Sequence, residues 1–315
     1  MPLNGAFSRE LPTLQLIIDQ TSIGLFKECP RKYYYRMIEG WSTRSFNVHL
    51  SFGSWFHEGC EKYERAKASQ ASHQEALRVA VRHALASTWN KNLGRPWNSD
   101  HKDKNRYSLI RTLVWYLDAL GDSSYKTVLL ANGQPAVELT FKYIPQDYET
   151  GEELTAFTGE SIFFSGHLDS MIALQGGTFI SDRKTTSRRL GPGYFAAYTP
   201  DNQFSMYTHA GHWAFATDVA GVICDAVQVT AGYSRFERQI IYRTEAQLRE
   251  WYADTKYYIS LMGRMAEQNR WPMNDKACYM CQFRPVCART PSARQTWLET
   301  DYTREVWDPS VTRGE

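Results

Sequence analysis

Ser165 to Thr186 reads SGHLDSMIALQGGTFISDRKTT, two strand-like runs joined at a Gly-Gly pair, and no other stretch constrains the chain as much. Both glycines tolerate positive φ, so Gly176 and Gly177 predict a two-residue hairpin turn. With those two as the loop, Gln175 faces Thr178, Met171 faces Asp182 and Asp169 faces Lys184. Directly paired residues point to one side of a sheet, and so do residues two apart along a strand. Asp169, Asp182 and Lys184 are therefore expected on one face.

Two carboxylates and an ammonium gathered this way suit metal-assisted phosphodiester cleavage. The carboxylates are hard oxygen ligands for Mg²⁺ or Mn²⁺. A bound ion gives a hydroxide-like nucleophile near neutral pH and offsets charge on the phosphate. Lys184 can orient the water or stabilise that charge. The plainer alternative is a surface ion pair on a hairpin, contributing only ~0–1 kcal/mol. Spacing by itself is a weak pattern and favours that plainer alternative.

The chain has 315 residues, 43% of them apolar, and a net charge of +2. That length buries a large core in one elaborated domain or two small ones. The near balance of charge excludes a basic coat, so a nucleic acid would bind in a local groove. The N-terminus MPLNGAFSRELPTLQLIIDQ lacks a basic start followed by a long apolar core. No run approaches the roughly 20 apolar residues of a membrane span. The expectation is a cytoplasmic protein without membrane contact, in which six cysteines are thiols or metal ligands rather than disulfides.

Helices are expected at Ile23 to about Ile38, capped by Thr21 or Ser22 and interrupted near Pro30. Others follow at Phe52–Ala68, Ser72–Asn90 and Lys104–Leu120. Strands are expected at Pro135–Ile144 and Thr155–His167, then the hairpin, a helix from Gln203 to about Ala216, and a strand near Val222–Tyr233. Thr244 and Gln247 form a capping box for a long helix reaching Asn269. Helices, then a mostly antiparallel sheet, then helices indicate an α/β or α+β domain with helical insertions. Residues 1–20 read as a loose N-terminal segment, 21–290 as one domain with a helical insertion at about 70–120, and 291–315 as a polar tail.

Cys278, Cys281 and Cys287 follow a C-x2-C-x5-C spacing. Zinc and cubane iron–sulfur sites both take four ligands, so the fourth must come from elsewhere. Cys29, beside Pro30, Arg31, Lys32 and a run of tyrosines, is the candidate. A three-plus-one arrangement leans towards iron–sulfur, and unrelated thiols are the alternative. Cys60 and Cys224 lie in apolar surroundings and read as core.

The order TSIGLFKECPRKYYYR, FGSWFHEGCE, GHLDS, SDRKTT, QFSMY and CYMCQFRPVC resembles RecB-type members of the PD-(D/E)XK nuclease superfamily. It is most similar to the iron–sulfur subgroup, such as AddB-type nuclease domains and CRISPR-associated exonucleases. The likeness runs from Thr21 to Cys287. It implies an α/β restriction-endonuclease-like core: a central mixed sheet flanked by helices, and a [4Fe-4S] cluster joining the two ends of the chain. It implies that Asp169, Asp182 and Lys184 are catalytic. His57, Asp169, Asp182 and the backbone carbonyl of Arg183 would hold Mg²⁺ or Mn²⁺. Cys29, Cys278, Cys281 and Cys287 would hold the cluster, and Gln203 and Tyr207 would contact DNA. The second acid is Asp182 where many relatives carry Glu, which shortens the reach by one methylene.

On residue type alone, His57 reads as a hydrogen-bonded helix histidine, and only the resemblance makes it a ligand; packing is the alternative for Gln203 and Tyr207, for which function is favoured. Glu138 is either a base near the site or a plain strand carboxylate, and stays outside the core set. Arg31, Lys32, Arg188 and Arg189 are candidate phosphate contacts or solvated charges. The implied function is a metal-dependent DNA nuclease, an exonuclease working on ends or single strands in recombination, repair or CRISPR-adaptation-like processing, in a bacterial or phage-infected cell. The alternatives are a non-catalytic DNA-binding scaffold that keeps the fold, or a metal protein outside nucleic-acid metabolism. No G-x4-G-K-[ST] occurs, so any helicase action needs a partner.

Overall fold

The computed structural model describes residues 5–45, 47–97, 99–120 and 126–309. A mixed sheet forms its centre, built from β1 (Ile17–Ile18), β2 (Val137–Tyr143), β3 (Phe163–Leu174), β4 (Gly177–Thr186), β5 (Val219–Val229) and β6 (Ser234–Ile241), with Lys126–Thr127 added at the far end of β3. β3 is antiparallel to β2 and β4, β4 runs parallel to β5, and β6 returns antiparallel. Parallel neighbours need a crossover. α5 (Asn202–Phe215), named in chain order with the helices below, supplies it. β5 is buried along nearly its whole length, as a strand covered on both faces must be.

One face of the sheet carries α1 (Gln20–Glu28), α5 and α6 (Glu245–Glu267). Phe26, Phe204 and Tyr252 from these helices share a core with Met171, Ile180 and Cys224. The other face carries α2 (Val48–Ala68), α3 (His73–Ser87) and α4 (Arg106–Leu120). Phe52, Ala80 and Leu113 pack there on Val227 and Val229. The expected Thr244–Gln247 capping box opens α6. α1 is capped by Asp19 rather than Thr21 or Ser22. It stops at Cys29, and Pro30 starts a new short helix, because its ring fits a first turn but not a helix interior.

Two expectations are corrected, and one strand is added. Residues 14–18 are not loose: Leu14, Ile17 and Ile18 are buried, and β1 pairs with the start of β3. The C-terminal stretch is not a free polar tail through residue 309. Tyr302–Arg304 pairs with Trp41–Thr43, after a helix at Arg294–Asp301 whose Leu298 is buried. The added strand is β6, whose residues, SRFERQII, are mostly half-exposed and charged at the sheet edge and so carry no clear strand pattern.

The hairpin turn is Gln175-Gly176, both with positive φ (+49° and +81°), and Gly177 begins β4. This register pairs Met171 with Ile180 and Ile172 with Phe179, like with like in the core, which the Gly-Gly loop would not. The displacement from the expected pairing is two residues, so every side chain keeps its face.

Candidate active site

Backbone pairing between β3 and β4 runs as far as Ser170 opposite Ser181. Asp169 and Asp182 are the next residues along the two strands, just past that pairing. There Asp169 Oδ2 accepts the Arg183 N–H at 2.8 Å, so a carboxylate bridges the two strands. On the other side of β3, pairing of Val137 with Ser170 and Leu139 with Leu168 puts Glu138 beside Asp169. Glu138, Asp169 and Asp182 thus form one rank across three neighbouring strands. Gly166, on the same strand, leaves room for the Phe141 ring: a Cβ there would lie 2.6 Å from it.

His57, on α2, places Nδ1 3.1 Å from Asp169 Oδ1. Donor atoms of His57, Glu138 and Asp169 all lie within 4.8 Å of one another, a set that fits a divalent ion. Asp182 is instead held by Lys184, whose Nζ is 2.8 and 3.0 Å from its two oxygens. Lys184 also donates to Gln203 Oε1 at 2.8 Å, and Gln203 Nε2 donates to Tyr207 OH at 2.6 Å. Gln203 and Tyr207, one turn apart on α5, therefore fix the direction of the lysine.

Burial works against ionising Asp169, but His57 and the Arg183 guanidinium and N–H outweigh it and hold the carboxyl well below the usual range. Burial pushes Asp182 up to about 6, against the pull of Lys184 and with help from the Asp169 charge. Burial also disfavours the His57 cation, yet Asp169 beside it raises the imidazole above its ordinary value. Two carboxyls in one rank are thus driven apart in acidity by their surroundings. A surface groove of about 590 Å³ borders β6 at Glu237 and Gln239. These share ranks with Lys184 and Asp182 across β5.

The family model for the PD-(D/E)XK nuclease superfamily matches residues 19–288. The chain belongs to that superfamily. Its sheet with the acidic rank is the PD-(D/E)XK core, and the members of the superfamily are nucleases that use divalent metals. A crystal structure from Eubacterium rectale, described as a "putative exonuclease", is similar in fold over 92% of this chain and 94% of its own. Its TM-score is 0.50 and its sequence identity 11%. The crystal structure of SSO0001 overlaps 76% of this chain and 94% of its own at 11% identity, with a TM-score of 0.32. No curated protein matches the sequence.

Against that PD-(D/E)XK frame, Glu138 is the residue the sequence reading left out. Its signal is backbone, not composition: φ is +50°, rare for a residue with a side chain, inside a strand. Arg31 and Lys32 are not beside the carboxylates. Arg31 Nε donates to the Trp271 carbonyl at 2.6 Å, and Lys32 pairs with Glu28 at 2.7 Å. Arg188 and Arg189 are exposed just past β4.

Among the described residues, the four candidate cysteines do not gather tightly enough for a single ion. They do share a neighbourhood. The Asn274 N–H donates to Cys29 Sγ at 3.3 Å, and the Asn274 carbonyl accepts from Cys278 Sγ at 3.7 Å. Burial raises the Cys287 thiol, as do Cys281 and Cys29 nearby, while Arg31 and Arg294 pull it down. Cys60 and Cys224 are fully buried. No helix among the described residues is long and apolar enough to cross a membrane.

Proposed function

We propose that this nuclease hydrolyses DNA at ends or in single strands as a metal-dependent exonuclease, in recombination, repair or CRISPR-adaptation-like processing. The observation carrying the reading is the pairing of a three-donor set with a separately held acid–lysine pair on the next strand. His57, Glu138 and Asp169 would hold Mg²⁺ or Mn²⁺, with Asp182 and the Arg183 carbonyl completing the set as Lys184 turns to substrate. The ion supplies an acidified water and charge neutralisation. Lys184, aimed by Gln203 and Tyr207, donates to a phosphate oxygen or to the attacking water. Arg188 and Arg189 and the groove along β6 offer a path for the polynucleotide.

The test is a timed digestion of DNA labelled at one end, beside a closed circle, with Mn²⁺. Shortening from the labelled or opposite end with the circle intact supports the reading. Lys184→Ala is expected to lose roughly 10²–10³-fold in rate. Equal rates for wild type and Lys184→Ala would refute it.

We further propose that Cys29, Cys278, Cys281 and Cys287 hold a structural [4Fe-4S] cluster. Its support is the contact Asn274 makes with both Cys29 and Cys278, and the packing of Cys281 and Cys287 against a small core of Tyr35, Trp41, Phe283 and Tyr302. Iron and visible absorbance in anaerobically purified protein, both lost in Cys29→Ala, are the expected result. An iron-free, colourless wild type would refute it.

A further inference from the structure

We propose that Glu64 and Tyr116 are positioning residues of the nuclease site, acting through Arg183 from the face of the sheet opposite to Asp182 and Lys184. The inference rests on the nuclease reading of Asp169 and Asp182. β4 alternates, so Asp182 and Lys184 face α5 while the Arg183 side chain turns towards α2 and α4. There it is 3% exposed, ion-paired with Glu64 of α2, and its Nε donates to Tyr116 OH of α4 at 3.1 Å. Tyr116 OH in turn donates to Asp225 Oδ2 at 3.0 Å, and Asp225 is held by Arg238 Nη2 at 2.7 Å.

This chain is buried, and its end at the site is the Arg183 peptide. That peptide's N–H holds Asp169 Oδ2, and its neighbours are Asp182 and Lys184. Anchoring the side chain therefore fixes the peptide that aligns both carboxylates. Glu64 Oε2 is buried without a hydrogen-bond partner. A buried carboxylate with one oxygen unsatisfied is costly. Packing alone would be served better by an apolar side chain. Outer residues that orient metal ligands typically change metal affinity 10–100-fold.

The experiment measures Mn²⁺ affinity by calorimetry, and cleavage against Mn²⁺ concentration, for wild type, Glu64→Gln and Tyr116→Phe. Glu64→Gln keeps size and loses charge; Tyr116→Phe deletes only a hydroxyl. The expected result is a 10–100-fold weaker Mn²⁺ affinity in Glu64→Gln and a smaller shift the same way in Tyr116→Phe. Cleavage should be restored by added Mn²⁺, and DNA affinity in EDTA should stay unchanged. Should Glu64→Gln fail to fold, Tyr116→Phe decides alone. Unchanged Mn²⁺ affinity in the folded variants, whatever happens to melting temperature, overturns the proposal. A wild type that neither binds Mn²⁺ nor cuts DNA refutes the nuclease reading instead, so the two failures are distinguishable.

Discussion

Asp182→Asn should stabilise the metal-free protein while abolishing cleavage. Asp182 is 2% exposed, and burial lifts its carboxyl from 3.8 to about 6. The sign follows from linkage: a group that holds its proton more tightly when folded contributes stability below its unfolded value and loses it as pH rises through its folded value. Below pH 3.8 the carboxyl is protonated in both states. By pH 7.5 the folded state must carry it ionised, at a cost on the order of 3 kcal/mol. An asparagine is neutral throughout and escapes that cost. For a chain of this length, 3 kcal/mol corresponds to roughly 5 °C in melting temperature. The assay is thermal unfolding of both proteins in EDTA from pH 7.5 to pH 4.5. The variant should melt several degrees higher at pH 7.5, and the gap should close as pH falls through 6. Saturating Mn²⁺ should narrow or reverse the order, because a ligand of the folded state stabilises only a protein that binds it. A variant that melts at or below wild type in EDTA, by the same margin at every pH, would refute the reasoning.

His209 is 1% exposed on α5, and burial lowers its imidazole to about 3. Its folded value lies below the unfolded 6.5, so stability should fall as pH drops from 6.5 towards 3, by roughly 3 kcal/mol at pH 4.5. In urea titrations His209→Gln should lose that slope while being less stable at pH 7.5, since the contact with Tyr143 OH is altered. At Glu138 the left-handed backbone strains any residue with a Cβ by about 1 kcal/mol. Glu138→Gly should therefore be more stable than Glu138→Ala by about that amount, both with weakened Mn²⁺ binding. An alanine variant as stable as the glycine one would show that the strain is absent.

The hairpin was legible because strand alternation survives errors of detail. The Gly176-Gly177 turn expected from sequence lies at Gln175-Gly176, and an even displacement of this kind keeps the paired side chains of the hairpin on their expected faces. The long helices were legible from their periodicity and from caps such as Thr244–Gln247. Glu138 was not, because a positive φ on glutamate has no signature in composition. Nor could the sequence tell that Gln203 and Tyr207 would bond to the lysine and to each other. Helical spacing gives a shared face but not what that face meets. The ends of the chain misled for a related reason. Tyr302–Arg304 is polar and short, and only pairing with Trp41–Thr43, some 260 positions away, makes it a strand.

The two faces of β4 explain why a nuclease would tolerate buried charge away from its chemistry. A one-residue slip of this strand would send Asp182 and Lys184 to the α2 face and bring Arg183 to the site. The apolar rows alone resist such a slip only in part, because Ile180 and Phe179 are both buried, on opposite faces. The Arg183–Glu64 pair adds a discriminator: slipped, it would leave a carboxylate of α2 buried without its cation, a loss of about 3–5 kcal/mol. In the native register the same pair contributes little net stability, since desolvation offsets attraction. Its value lies in the gap between right and wrong registers, and the wrong one has no acidic rank.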